Sequence, residues 1–389
     1  MSDAKVLALN GGSSSLKFGL FEEGRDDVEA ICSGEISGIG TPQGQLIVHG
    51  TKGEPLRESR GQFADLEGAL AAATQSLEGG SLPAPTAVAH RVVHGGPRLL
   101  EHHEITPNVL RDLETAAVFA PLHVPQTLCM IRESQKHFPS ARQFACFDTA
   151  FHRTMPVAAS RFALPKKFWD EGIKRYGFHG LSCESILHGL GGDVPPRLIV
   201  AHLGSGASIT AIENGCSMDT TMGLTPTGGI VMSTRSGDLD PGVLLHLMRT
   251  AGSRVEELER LLDHESGLLG ISGRSGDMRV LHQAAGDADA RLAIEIFCRS
   301  SAKAIGGFAA MLGGVDLLVF TGGIGEHDPE VRGRICEMLG FMDVAIDTKR
   351  NATNSRTIST DARSVRVSVI ESQEEAQMAR HAFRLIGAG

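Results

Sequence analysis

Six residues suited to handling phosphoryl groups or metal ions stand at or near the ends of apolar runs. Asn10 closes VLALN (6–10), Arg91 lies in AHRVVHGG (89–96) and Asp148 closes ARQFACFD (141–148). His179 lies in KRYGFHG (174–180), Arg235 in TRSGDLDPG (234–242), and Glu374 opens the last helical stretch. Strand ends are where α/β proteins place their sites. Taken singly, each Arg or Asp is explained as well by a structural salt bridge. Together they supply what phosphoryl transfer asks for: cationic donors around the moving group, a Mg²⁺ held by few carboxylates, and little covalent chemistry.

Other chemistries fit less well. His90 and His94 have the i, i+4 spacing of a zinc helix, but the segment is Val-rich and lacks the Glu of H-E-x-x-H, so they are expected to be structural. Neither GGSSS (11–15) nor GLSCES (180–185) is the G-x-S-x-G elbow of a hydrolase. The stretch NGGSSSLKFGL (10–20) joins two apolar runs through glycines and serines. Such a hairpin turn brings backbone and hydroxyl donors to an anion, with Lys17 adding charge, yet an ordinary Gly/Ser turn explains it equally. It is not a Walker A loop, because the lysine follows the serines inside an extended run rather than opening a helix. FTGGIGEH (320–327) lacks G-x-G-x-x-G, so it points to close backbone approach to a ligand rather than to a dinucleotide fold.

The elements that must position these residues follow from periodicity. Strand-like runs cover 6–10, 16–21, 87–96, 142–151, 197–212, 316–327 and 365–372, and helical periodicity covers 64–77, 109–119, 125–137, 287–312 and 374–385, with a further helix starting near Pro329. The mixture predicts an α/β protein. LIVAHLGSGASITAIENG (198–215) repeats the shape of VLALNGGSSSLKFGLFEEG (6–24): strand, Gly/Ser turn, strand. That repetition suggests two similar domains, as a chain of 389 residues also does. The formal net charge of -9 disfavours nucleic acid and anionic membrane as main partners. Seven scattered cysteines without C-x-x-C spacing fit a reducing compartment and no zinc ribbon. With no signal-type start and no bilayer-length apolar run, the cytoplasm is the expected location.

At this point the chain resembles the acetate kinase family, the short-chain carboxylate kinases of the acetate and propionate kinase type within the actin/Hsp70/sugar kinase superfamily. The resemblance covers essentially the whole length. It is carried by NGGSSSLKFGL, AHRVVHGG, APLHVP (120–125), FDTAFH (147–152), KRYGFHG, TRSGDLDPG, SGRSGDMR (272–279), FTGGIGEH and the Glu374-Glu375 pair. It implies two RNase H-like domains of duplicated topology around a cleft: residues 1–150 closed by 376–389, and a nucleotide-binding domain over 151–375. It implies reversible, Mg²⁺-dependent in-line transfer from ATP to a short carboxylate, giving acyl phosphate and ADP, with Mn²⁺ as a possible substitute, in a homodimer. By resemblance Arg91 and Arg235 hold the carboxylate and the phosphoryl group, His179 donates to that group, Asp148 orients an arginine or helps place the metal, and Asn10 and Glu374 lie at Mg²⁺. Val93, Leu122, Phe178 and Pro226 match the family's acyl pocket. Nucleotide contacts fall to Ser13, Ser15 and Lys17, to His202, Leu203, Gly204, Ser205 and Gly206, to Asp277, Met278 and Arg279, and to Gly322, Gly323, Ile324 and Gly325.

The chain departs from the family pattern at several positions. Ser205 replaces the asparagine of H-L-G-N-G, Gly11 stands where alanine is common, GLSCES replaces a G-T-S-H run, and Met278 replaces a frequent aromatic. A shorter donor at Ser205 weakens the expected phosphate contact and leaves pyrophosphate open as a donor, whereas the intact GGIGEH turn favours a nucleotide. Two competing functions share the fold: an ATP-driven conformational protein of the actin or Hsp70 sort, which expects an appended partner-binding segment, and a phosphatase, which needs no acid acceptor.

Overall fold

The computed structural model describes residues 4–12, 14–78, 82–121, 123–250, 252, 254–361 and 365–388. The chain forms two compact units. One comprises the stretch up to Ala150, Gly180–Ser185 and the chain from Gln373 onward; the other comprises Phe151–His179 and Ile186–Ser372. This division assigns Gly180–Ser185 and residues 373–375 to the first unit, where the sequence reading put both in the second.

The first unit is built on β1 (Lys5–Gly11), whose Val6, Leu7, Ala8 and Leu9 are all fully buried, as expected of a central strand covered on both faces. It turns into β2 (Ser15–Glu23), with Asn10 opposite Lys17 and the Gly12 N–H donating to the Ser15 carbonyl. The antiparallel series continues through β3 (Val28–Ser37), β4 (Gly44–Gly50) and β5 (Pro55–Gly61). On the other side of β1 lies β6 (Ala87–Val92), parallel to it, then the two-residue β7 (His103–Glu104) at the edge beyond β8 (Arg142–Phe147), which runs parallel to β6. One face of this sheet is covered by helices Leu66–Glu78 and Val124–His137. The C-terminal helix Glu374–Gly387 lays Met378, Ala379 and Ala382 against Val6, Ala8, Ala87, Ala89 and Phe144. Alanines on both sides let helix and sheet approach closely, and burying Met378 alone contributes about 1.5–3 kcal/mol.

The second unit carries β9 (Arg197–Leu203), β10 (Ala207–Glu213), β11 (Cys216–Thr220), β12 (Leu317–Thr321) and β13 (Arg366–Val369). Its order, β11-β10-β9-β12-β13, repeats β3-β2-β1-β6-β8 with the same senses: three antiparallel strands followed by two parallel ones. The two Gly/Ser turns noted in the sequence are therefore equivalent places in a duplicated topology. The long helix Ala288–Met311, capped by Asp287, buries Ala293, Ile294, Phe297 and Ile305 along one stripe.

Three features differ from the sequence reading. Strands β3 to β5 escaped it for lack of a strong apolar run: PLRESRG is exposed almost throughout, and VEAICSGEIS and GQLIVHG mix buried with exposed or half-buried residues and contain glycine. The GGIGEH segment is a short helix, Gly322–His327, and a second helix starts at Pro329 under an Asp328 cap. The helix Gly180–Leu190 and two helices between 241 and 264 also went unread. No helix among the described residues is long and apolar enough to cross a membrane.

Candidate active site

In the first unit, strands β1, β6 and β8 end side by side. The register pairs Leu9 with His90 and Val92 with Phe147, so Asn10, Arg91 and Asp148 emerge together at one end of the sheet. The Arg91 guanidinium grips Asp148 with Nε 3.0 Å from each carboxylate oxygen and Nη2 2.6 Å from Oδ2. Its Nη1 donates to Asn10 Oδ1 at 3.1 Å. The Asn10 amide nitrogen in turn donates to Glu374 Oε2 at 3.0 Å and Glu375 Oε1 at 2.7 Å. Asp148 is fully buried. Burial opposes the Arg91 charge, but Asp148 and Glu374 more than offset it and keep the guanidinium protonated well above its ordinary range. Burial also raises the Asp148 pKa, against the pull of Arg91, and burial together with Glu374 raises that of Glu375.

The Asn10 amide oxygen accepts from Arg91 and its nitrogen donates to two carboxylates, so it links the guanidinium to the Glu pair. Glu374 and Glu375, half-buried in the first turn of the C-terminal helix, are hard anionic oxygens of the kind Mg²⁺ selects, and as a donor set they fit that ion. Lys17 is exposed and stands opposite Asn10 across the hairpin, close enough to favour the Glu375 charge. Ser15 is half-buried at the start of β2. Val93 is buried just past the end of β6. Ser13 and Leu122 lie outside the described residues. His90 is a core residue whose Nε2 lies 2.7 Å from Gln143 Oε1, with burial pushing its imidazole down to about 4.

In the second unit, the β9–β10 turn gathers the other group of site residues. His179 has left-handed backbone (φ 56°), Nδ1 at 3.0 Å from Ser208 Oγ, and a ring stacked on His202 with centroids 4.2 Å apart. Arg235 donates to the Pro226 carbonyl at 3.3 Å. A methyl group added at Gly206 would lie 3.2 Å from His179 Nε2 and 3.4 Å from Arg235 Nη1, so the glycine leaves open the spot on which both side chains converge. Gly204 neighbours the Gly323 amide, 3.9 Å from where its own Cβ would be. Gly322 has φ +76°, and a side chain there would strike the Leu203 carbonyl at 2.8 Å. The strand-end Thr321 hydroxyl and the Gly322 N–H are both held by Glu326 Oε1. Both glycine turns therefore sit together with little bulk over their amides, and Ser205 is exposed between Gly204 and Gly206.

Of the remaining expected contacts, Phe178 and Pro226 are buried in this unit. Asp277 caps the helix Met278–Gln283 and is paired bidentately with the exposed Arg279. Met278 turns inward instead, and is buried. A hollow of about 310 Å³ adjoins this helix, lined by Arg274, Val280, Gln283, Ala284, Gly286 and Asp287. Two contributors were not singled out in the sequence as site residues, Glu375 and Ser208. The doubled glutamate opening an amphipathic helix marks the first, and a hydroxyl next to the glycine turn on the largely apolar strand β10 marks the second.

Comparison with known proteins identifies the family. Residues 5–380 match the model of the acetokinase family. The acetate kinase of Leifsonia xyli is 40% identical over 400 residues, covering 99% of each chain, and the propionate kinase of Escherichia fergusonii is 39% identical over 393 residues, covering 98% of this chain and 96% of its own. Among solved structures, a propionate kinase from Francisella tularensis superposes with TM-score 0.88 at 34% identity, covering 97% of this chain and 98% of that one. The Porphyromonas gingivalis acetate kinase superposes with TM-score 0.85 at 36% identity, covering 98% and 100%. With the family matched along nearly all of its length and both sheets in the duplicated order, the chain belongs to the acetokinase family and is a kinase.

Proposed function

We propose that the protein transfers the γ-phosphoryl group of ATP to acetate, or to another short-chain carboxylate such as propionate, reversibly and with Mg²⁺, giving acyl phosphate and ADP by direct in-line transfer. The observation that carries this reading is the pair of donors, His179 Nε2 and Arg235 Nη1, converging over a glycine in a hairpin turn beside a second glycine turn. Hydrogen-bond donors fixed before reaction, one of them the Arg235 cation, stabilise charge that develops on the phosphoryl oxygens without having to reorganise. The Ser208 hydroxyl, 3.0 Å from His179 Nδ1, orients the ring so that Nε2 faces the Gly206 turn, where it would donate to a phosphoryl oxygen. Arg91, kept charged and oriented by Asp148, binds the carboxylate and neutralises it for attack. Asn10 and Glu374, with Glu375 beside them, would hold Mg²⁺, which would supply charge neutralisation on the nucleotide phosphates, and Mn²⁺ is expected to substitute. No residue needs to carry a covalent phosphoryl group.

The second unit is the nucleotide-binding domain in this reading, with the two glycine turns taking the phosphates and the hollow by Asp277 and Arg279 taking the nucleoside. The protein is proposed to act in the cytoplasm as a homodimer. Leu239, and Val243, Leu245 and Met248 on helix Pro241–Thr250, are exposed and would suit a second copy.

A hydroxamate assay with ATP and Mg²⁺ tests the function, run with acetate, propionate, butyrate or no acid, and with pyrophosphate in place of ATP. Acyl hydroxamate that depends on both ATP and an acid is the expected result; nucleotide hydrolysis indifferent to every acid would refute the proposal. The same assay reads the acid pocket. One methylene is worth about 1–3 kcal/mol in an apolar pocket, so Val93→Ala is expected to raise the use of butyrate relative to acetate by about 10-fold or more. An unchanged preference ratio would remove Val93 from the pocket.

A further inference from the structure

Three ionisable side chains that phosphoryl transfer does not employ meet inside the first unit. His102 precedes β7, Glu184 lies on the helix Gly180–Leu190, and His381 lies on the C-terminal helix. His381 Nε2 is 2.7 Å from Glu184 Oε2 and His102 Nε2 is 3.5 Å from the same oxygen, with the two rings 3.8 Å apart between centroids. Each side chain is largely buried, at 7%, 16% and 6% exposure for His102, Glu184 and His381.

By composition this is a metal site, and the three ligand atoms do lie within 4.8 Å of one another. Its hydrogen bonds say otherwise. The Phe147 backbone N–H donates to His102 Nδ1 at 3.0 Å, and the Arg384 guanidinium donates to His381 Nδ1 at 2.7 Å. Neither donor can reverse its role, so both rings use the Nδ1 lone pair and carry their proton on Nε2. Neither Nε2 has a lone pair left for a cation. The cluster is one carboxylate oxygen hydrogen-bonded by His381 Nε2 at 2.7 Å, with His102 Nε2 3.5 Å away and lacking a hydrogen-bond partner of its own among the described residues. Burial works against the Glu184 charge, but the two imidazoles outweigh it and hold the carboxyl down to about 2.

What the cluster holds together is the support of Arg91. His102 anchors the Phe147 amide, the residue before Asp148. The Gly180 N–H, one turn ahead of Glu184 on the same helix, donates to the Asp148 carbonyl at 2.9 Å. His381 follows Glu374 by two helical turns on the same face of the helix whose first turn meets Asn10. We propose that Glu184 is a positioning residue for Arg91: by accepting from His381 and standing 3.5 Å from His102 Nε2 it ties two helices to the end of β8, and so fixes the Asp148 and Asn10 oxygens that hold the guanidinium. The proposal rests on the assignment of Arg91 to phosphoryl transfer.

The test uses the full chain with Glu184→Ala, Glu184→Gln and His102→Asn. The last keeps an oxygen for the Phe147 amide but removes the imidazole beside Glu184. Three quantities are read on each: kcat and acid KM, thermal melting, and the ¹⁵N-edited signal of the Arg91 Nε–H, which is identified by its loss in Arg91→Ala. Small misplacements of a positioned group can cost up to about 100-fold, so Glu184→Ala is expected to lower kcat by about 10- to 100-fold with acid KM little changed. Faster exchange or broadening of the Arg91 Nε–H should accompany that loss. Glu184→Gln, which keeps an acceptor oxygen, should recover part of both, and His102→Asn should move both in the same direction as Glu184→Ala.

Wild-type kcat and an unchanged Arg91 signal in the folded variants would overturn the proposal. So would a kcat loss that only mirrors the folded fraction, or unfolding of all three variants, since Glu184 would then serve folding alone. If the wild-type protein makes no acyl phosphate, the function proposed above fails, while the Arg91 signal still decides whether Glu184 holds the guanidinium.

Discussion

Arg91→Ala is expected to lower kcat by about 10³- to 10⁵-fold, the range seen when a cation that stabilises a transferring phosphoryl group is removed. Affinity for MgATP should change little, because Arg91 belongs to the first unit and the nucleotide is assigned to the glycine turns of the second. The substitution has a second consequence. Asp148 is fully buried and spends both oxygens on Arg91, so its removal leaves an uncompensated buried carboxylate, which costs about 3–5 kcal/mol of stability. Activity must therefore be measured well below the melting temperature and normalised to folded protein. Arg91→Lys separates the two effects: an ammonium restores a charge but not the two-pronged grip on Asp148 or the bond to Asn10. Stability should then recover more than kcat does. A kcat within an order of magnitude of wild type in the alanine variant would remove Arg91 from the reaction.

The grouping of Arg91 with Asp148 and Asn10 shows what could be read without coordinates and what could not. The residue types and their places at the ends of apolar runs were visible, since VLALN, AHRVVHGG and ARQFACFD are short, strongly apolar and punctuated by small residues. Their meeting depends on parallel register between strands 81 and 57 residues apart, which no local pattern encodes. The repeated strand–turn–strand was legible for the opposite reason: a two-stranded hairpin is local, and its duplication appears as similar text. Strands β3 to β5 were not legible because an antiparallel extension with a wet face mixes polar residues and glycine among its apolar ones, and PLRESRG has almost none of the latter. The side-chain directions of Asn10 and Met278 were not legible in the sequence either. An asparagine at a strand end offers an oxygen or a nitrogen depending on its neighbours, and here a guanidinium and two carboxylates decide which. Met278 follows the inward stripe of its short helix together with Leu281.

The duplicated sheets place different chemistry at equivalent positions. The end of β6 carries Arg91, whereas its counterpart β12 runs into Gly322 and the glycine helix; the turn after β1 carries serines, whereas the turn after β9 carries Gly204 to Gly206. Arg235 is what brings charge to the second arrangement, and Arg235→Ala is expected to lower kcat by about 10³-fold or more. Its guanidinium donates to the Pro226 backbone carbonyl. The melting temperature, measured beside kcat and compared with that of Arg91→Ala, separates a loss of chemistry from a loss of fold. Arg235→Lys should recover little, because the point charge of an ammonium lacks the fork that can reach a phosphoryl oxygen while keeping the Pro226 contact. Gly206→Ala approaches the same spot from the other side, since its methyl would press on both Arg235 Nη1 and His179 Nε2. If Arg235→Ala retains near-wild-type kcat while Gly206→Ala loses it, His179 alone acts at that spot, and the two-donor reading of the β9–β10 turn is wrong.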